Sequence, residues 1–281
     1  MPFSARIERE TWGDTMASLV SRNAVTVAGS GQDTIIFAHG FGCDQSVWRQ
    51  LVPFFETSRR IVCFDHVGSG MSDITAYTKA HYATLDSYAN DTLEIAQAFG
   101  VGAVTLVGHS VGAMIAMLAA AKAPTSVANL VMIAPSPCYL NDGDYRGGFS
   151  RTDIDQLLEY LEANYVGWSA TYAPVIMGNP ERPELAAELG QSFCRMDPEI
   201  AKDFAQVTFL SDCRAVLPSV GVRSLALQCS NDAIAPAFVG DYVARTMPDC
   251  RLETLRATGH CPHQSAPDEV AAHIRAFLAR S

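Results

Sequence analysis

No run of 18 or more apolar residues occurs in this sequence, so nothing in it reads as a membrane-spanning helix. The first twenty residues, MPFSARIERETWGDTMASLV, carry charges of both signs and lack the uninterrupted apolar stretch of a secretory signal. There is no basic cluster to follow a phosphate backbone. With 20 Lys+Arg against 30 Asp+Glu, the formal charge is −10. No nucleic-acid partner is expected, and the acidic excess reads as a solubility feature. No G-x-G-x-x-G opens a helix and no P-loop is present. The G-S-G triplets at 29–31 and 68–70 are therefore turns rather than phosphate cradles. The eight cysteines (43, 63, 138, 194, 213, 229, 250 and 261) contain no C-x-x-C pair and no zinc-ligand spacing. Several lie in apolar runs such as IVCFD and LALQC and are expected as small buried side chains. A reducing, cytoplasmic setting is the expectation.

What is present is a globular composition, 48% hydrophobic and 18% charged, over 281 residues. That suits one core with an inserted subdomain. Short β-branched runs predict strands at 24–29, 34–39, 60–65, 103–108, 129–134, 223–229 and 251–257. The last five are expected to be covered on both faces. Helical patterns separate them at 82–99, 110–123, 237–247 and 267–280. This alternation predicts an α/β fold, a mostly parallel, doubly wound sheet. The short AGSGQD connection suggests that the first two strands pair as an antiparallel hairpin. The alternation stops over residues 136–215, where four helical stretches (151–165, 166–177, 183–196, 197–210) form an insertion, with Pro183 and Pro198 near helix starts. The core is then 19–135 with 216–281.

The chemistry concentrates at G-H-S-V-G, residues 108–112. It follows a predicted strand and precedes a predicted helix, the context in which Ser110 becomes a nucleophile rather than a helix cap. In this elbow type an acid and then a histidine follow in chain order, each after a late strand. Asp232, in SNDAIAP, and His260, in ATGHCPH, have those positions. His263 is the rival base; Asn231 and Asp212 are the rival partners. Asn231 lacks the charge that stabilises an imidazolium, and Asp212 ends the insertion, where capping is the plainer role. Asp65 is expected as a structural turn residue, His109 as a packed or hydrogen-bonded one, and Met114 and Met117 as core. The backbone N–H of Val111, and that of Phe41 in the H-G-F-G loop (39–42), are the candidate oxyanion donors.

Taken together, HGFGCDQSVW (39–48), FDHVGSGMSD (64–73), GHSVGAM (108–114), SPCYLNDGDYRGGF (136–149), QCSNDAIAP (228–236) and GHCPHQSAPDE (259–269) resemble the RsbQ family of α/β-hydrolases, close to the plant strigolactone and karrikin receptors. The resemblance covers residues 19–281. Residues 1–18 stand apart as an N-terminal extension, with Met16 as an alternative start. The resemblance implies an α/β-hydrolase fold with a V-shaped lid of four helices, no cofactor and a monomer. It implies Ser110 as nucleophile, His260 as base, Asp232 as its partner, and Phe41 and Val111 as oxyanion donors. Tyr139, Phe149, Trp168, Tyr172, Phe193, Phe209, Ala233 and Ile234 would line the pocket.

Two functions follow. One is a serine hydrolase cutting an ester or lactone of a small hydrophobic compound, strigolactone-like or butenolide-like. The other is a stress-signalling receptor that binds such a ligand, hydrolyses it slowly and acts with a PP2C-type phosphatase partner.

Overall fold

The computed structural model describes residues 14–279. Seven strands form one sheet: β1 (Thr26–Ala28), β2 (Thr34–Ala38), β3 (Arg60–Cys63), β4 (Val104–His109), β5 (Val127–Ile133), β6 (Arg223–Asn231) and β7 (Cys250–Thr258). Their order is β1-β3-β2-β4-β5-β6-β7. All neighbours are parallel except β1 and β3. The expected β1–β2 hairpin is not formed. Every residue of β2 is buried, and both its edges are taken by the parallel strands β3 and β4. β1, with Thr26 exposed, takes the outer place beside β3. A Cβ on Gly29 or Gly31 would overlap the backbone of Arg59 or Ser58, so the connection runs tightly past the entry to β3. A second expectation also needs correction. β7 is an edge strand, with Leu255 its one fully buried residue.

The helices of the core are α1 (Asp14–Asn23), α2 (Leu85–Phe99), α3 (Val111–Lys122), α8 (Ala237–Thr246), the short α9 (Pro262–Ser265) and α10 (Pro267–Leu278). Of the N-terminal extension, residues 1–13 lie outside the described residues, and α1 begins at Asp14. Arg22 ties α1 to Asp91 and Glu94 of α2. α3 is apolar all round and buried from Val111 to Ala120, as a helix enclosed between sheet and neighbours must be. Met114 and Met117 are among its core side chains.

Between β5 and β6 lie α4 (Arg151–Ala163), α5 (Tyr165–Met177), α6 (Pro183–Phe193) and α7 (Pro198–Phe209). Their boundaries are written in local chemistry. Ser150 and Asp153 form a reciprocal capping box on α4. Asn164 caps α5, and Asp197 caps α7 through the N–H groups of Glu199 and Ile200. Gly178 ends α5 in the left-handed conformation. α5 packs on α6, and α4 packs on both α5 and α7. The acidic residues of α4 lie on a solvated face, while Ile154, Leu157 and Leu161 point inward.

Candidate active site

β4 ends at His109, and the chain turns at Ser110 into α3. Ser110 has φ 55° and ψ −124°, a conformation that costs a non-glycine residue about 1–3 kcal/mol. The turn is tight because its neighbours have no side chains. A Cβ on Gly108 would overlap the Gly112 carbonyl, and one on Gly112 would overlap the His39 carbonyl. The strain lifts the serine hydroxyl out of the sheet at the carboxyl ends of the parallel strands, where open α/β sheets bind ligands.

Two neighbouring strand ends meet it. Asp232 directly follows β6, and His260 lies two residues beyond β7. His260 Nε2 is 2.8 Å from Ser110 Oγ, and His260 Nδ1 is 2.8 Å from Asp232 Oδ2. With the proton on Nδ1 donated to the carboxylate, Nε2 is free to accept from the hydroxyl. The other carboxylate oxygen of Asp232 accepts the N–H groups of Ile234 and Ala235, at 2.8 and 3.0 Å. All three residues are buried. Burial acts to raise the Asp232 pKa, but the adjacent imidazole and the two N–H groups outweigh it, and the pKa is lowered.

The rivals fall elsewhere. His263 is fully buried, its ring 4.3 Å from that of His109 and 4.7 Å from that of Trp48. Asp212 is spent on Arg214, and Asn231 is exposed. Asp65 accepts the N–H groups of Gln45 and Met71, a turn-holding role. The His109 ring donates from Nε2 to the carbonyl of His260, at 2.8 Å.

Val111 opens α3, so its N–H is one of those a helix leaves without an internal acceptor. The Phe41 ring is wedged among Trp168, Phe193, Phe204 and Phe209, with centroids 5.7–6.2 Å away. A cavity of about 30 Å³ borders Ser110 and His260, room for one or two waters. Phe41, Tyr139, Trp168, Phe193, Phe209 and Ile234 reach it. Phe149, Tyr172 and Ala233 do not. Phe149 is half-buried with its ring edge on Tyr139, Tyr172 stacks on Trp168, and Ala233 faces solvent. Sequence reading missed Ile176, Leu189 and Thr208, which also border the cavity. The Tyr139 hydroxyl stands 3.4 Å from Ser110 Oγ, and burial pushes its pKa up to about 12.

The loop bearing His260 is bound to the end of α5. The His260 N–H donates to the Ile176 carbonyl at 2.8 Å, and Thr258 Oγ1 donates to the Gly178 carbonyl. Asn179 Nδ2 donates to the carbonyls of Met177 and Thr258, while Arg182 bridges Asn179 Oδ1 and the Ser265 carbonyl. Among the described residues, no group of three or more His, Cys, Asp or Glu side chains is arranged to hold a metal ion. No helix among them is long and apolar enough to cross a membrane.

A parallel sheet carrying a strained serine elbow, with a helical insertion beside it, defines the α/β-hydrolase class of enzymes. The chain belongs to the alpha/beta hydrolase family, whose model matches residues 35–273. It is 38% identical over 247 residues to karrikin insensitive 2 receptor CA of Petunia hybrida, covering 88% of this chain and 92% of that one. It is 36% identical to strigolactone esterase D14 of Arabidopsis thaliana, covering 91% and 96%. Among solved structures it is similar to olei00960, a hydrolase from Oleispira antarctica, with TM-score 0.92, 37% identity and coverage of 96% and 99%.

Proposed function

We propose that this protein is a serine esterase or lactonase of RsbQ type, acting on a small hydrophobic ester or a strigolactone-like or butenolide-like lactone. The observation that carries this is the pair of 2.8 Å contacts linking Ser110 to His260 and His260 to Asp232. Ser110 Oγ attacks the carbonyl carbon while His260 Nε2 takes its proton. Asp232 keeps the imidazole in the working tautomer and stabilises the imidazolium. The N–H groups of Val111 and Phe41 receive the charge developing on the carbonyl oxygen. His260 returns the proton to the leaving alcohol, and water, deprotonated by the same imidazole, releases the acid. The aromatic and aliphatic side chains around the nucleophile suit an apolar substrate, for which the cavity of about 30 Å³ must widen.

The 38% identity to a karrikin insensitive 2 receptor favours a second reading. Here the same residues capture a ligand, turnover is slow, and the output is a cytoplasmic stress signal passed to a PP2C-type phosphatase partner. Hydrolysis of p-nitrophenyl acetate and of a butenolide strigolactone analogue by wild type and Ser110→Ala, with intact-mass spectrometry, tests both. Fast turnover lost in the variant supports the esterase. A thermal shift with slow turnover and a persistent adduct supports the receptor. No turnover, no adduct and no shift with either compound would overturn both.

A further inference from the structure

His109 lies between Ser110, the loop that carries Phe41 and the main chain of His260, and has no part in the chemistry itself. It immediately precedes Ser110. Its Nδ1 lies against the loop that carries Phe41, so closely that a Cβ on Gly40 would be 2.7 Å from it. Its Nε2–H donates to the main-chain carbonyl of His260 at 2.8 Å. The ring is fully buried, and burial together with the neighbouring His260 brings its pKa down to about 3. It therefore stays a neutral donor throughout the range in which a histidine base works.

The main chain of His260 is held on two sides. Its N–H is tied to the Ile176 carbonyl at the end of α5, and its carbonyl is tied to His109. Asp232 orients the imidazole, but a carboxylate bonded to one ring nitrogen does not fix where the backbone stands. The 2.8 Å reach from His260 Nε2 to Ser110 Oγ depends on both. A misplacement of 1 Å in such a pair costs about 100-fold in rate.

The geometry points to His109 as a positioning residue, whose Nε2–H bond to the His260 carbonyl sets the distance between base and nucleophile. This rests on the reading of Ser110, His260 and Asp232 as a hydrolytic triad. The competing role is space-filling, since the His109 ring also packs on His263.

Two substitutions separate them. His109→Phe fills the space without a donor. His109→Gln keeps an N–H donor of similar reach. Each is compared with wild type in p-nitrophenyl acetate hydrolysis and in the rate of Ser110 labelling by a fluorophosphonate probe, read by intact mass. The expected result for His109→Phe is a 10- to 100-fold fall in kcat and in labelling rate, with KM within about threefold and a near-native melting temperature. His109→Gln should recover most of both rates. Equal losses in the two variants, or unchanged labelling in a folded His109→Phe, would overturn the proposal while leaving the triad standing. Absence of labelling in the wild type would instead overturn the triad reading and the proposal with it. A long-range ¹H–¹⁵N spectrum of the wild type gives a check that needs no variant. His109 should be the neutral Nε2–H tautomer from pH 5 to 8 (about the working range of a histidine base), and an Nδ1–H tautomer would overturn the proposal.

Discussion

A Cβ on Gly259 would overlap the carbonyl oxygen of Met177. Gly259 has φ +81°, and its N–H donates to the Asn231 carbonyl at 2.7 Å. The residue before His260 is thus confined between the last turn of α5 and the end of β6. Gly178, at φ +60°, makes the facing half of the same contact, since a Cβ there would lie 2.7 Å from Gly259 Cα.

Gly259→Ala is expected to destabilise the protein by about 1–3 kcal/mol and to lower kcat/KM more than tenfold, because relief of the overlap must move either His260 or α5. Urea unfolding and ester hydrolysis measure the two effects. Wild-type rates in the variant would mean that the end of α5 does not bear on the base.

Ser110→Gly and Ser110→Ala should both be inactive, yet differ in stability. At φ 55° and ψ −124°, alanine keeps the strain and glycine sheds it. Glycine's greater unfolded-state freedom offsets part of the gain. The expected difference is about 1 kcal/mol in favour of Ser110→Gly. Equal unfolding free energies would show that the elbow stores no strain.

The lowered pKa of Asp232 gives a pH signature. Its contribution to stability is complete above the ordinary aspartate range, about pH 4, and is lost as the pH falls through its lower native value. Asp232→Asn should flatten that part of the acid limb and reduce kcat by about 10⁴-fold, the scale found when a triad aspartate becomes an amide. Unfolding free energies from pH 2 to 6 (roughly spanning the free aspartate pKa) are the measurement. Parallel curves for the two proteins would contradict the lowered pKa.

Tyr139 stays protonated, so its hydroxyl, 3.4 Å from Ser110 Oγ, acts as a neutral hydrogen-bond group rather than a base. Tyr139→Phe is expected to cost about threefold to tenfold in kcat/KM, the worth of one modest hydrogen bond. The shape of the pH–rate profile between about pH 6 and 9, well below a phenol's titration, should not change. A profile that loses a limb would assign Tyr139 a proton-transfer role.

All eight cysteines are free thiols, and only Cys194 is exposed. Cys43 and Cys261 border the cavity, but burial raises both thiols, Cys43 to about 12. Iodoacetamide on the native protein should therefore modify Cys194 first, with Cys43 and Cys261 protected until unfolding. Peptide mapping of a time course reads this directly.

Much of this architecture is legible in the chain because it is written locally. The elbow shows in the glycines at 108 and 112, whose absent side chains the tight turn requires. The inserted helices show in Ser150, Asn164, Asp197 and the prolines at 183 and 198. The order of strands does not show, because pairing is decided by distant partners. A five-residue connection looks the same whether β2 turns back onto β1 or passes it to lie beyond β3. The cavity wall was only partly readable for a related reason. Tyr172 and Trp168 are both aromatic and both on α5, but only Trp168 reaches the cavity. Ile176 matters as much through its carbonyl as through its side chain, and main-chain acceptors carry no signature in a sequence.

The bond from the His260 N–H to the Ile176 carbonyl also sets a rule for anyone who would transplant this insertion. Substrate range in such proteins invites exchange of α4–α7 between relatives, with joints cut before Arg151 and after Phe209. Here a graft that brings a foreign turn at 176–179 also brings a foreign seat for His260, although Ser110, Asp232 and His260 are all unchanged. A chimera designed to keep its chemistry must retain 174–179 together with 258–260 as one inherited module and vary only the rest of the α4–α7 surface.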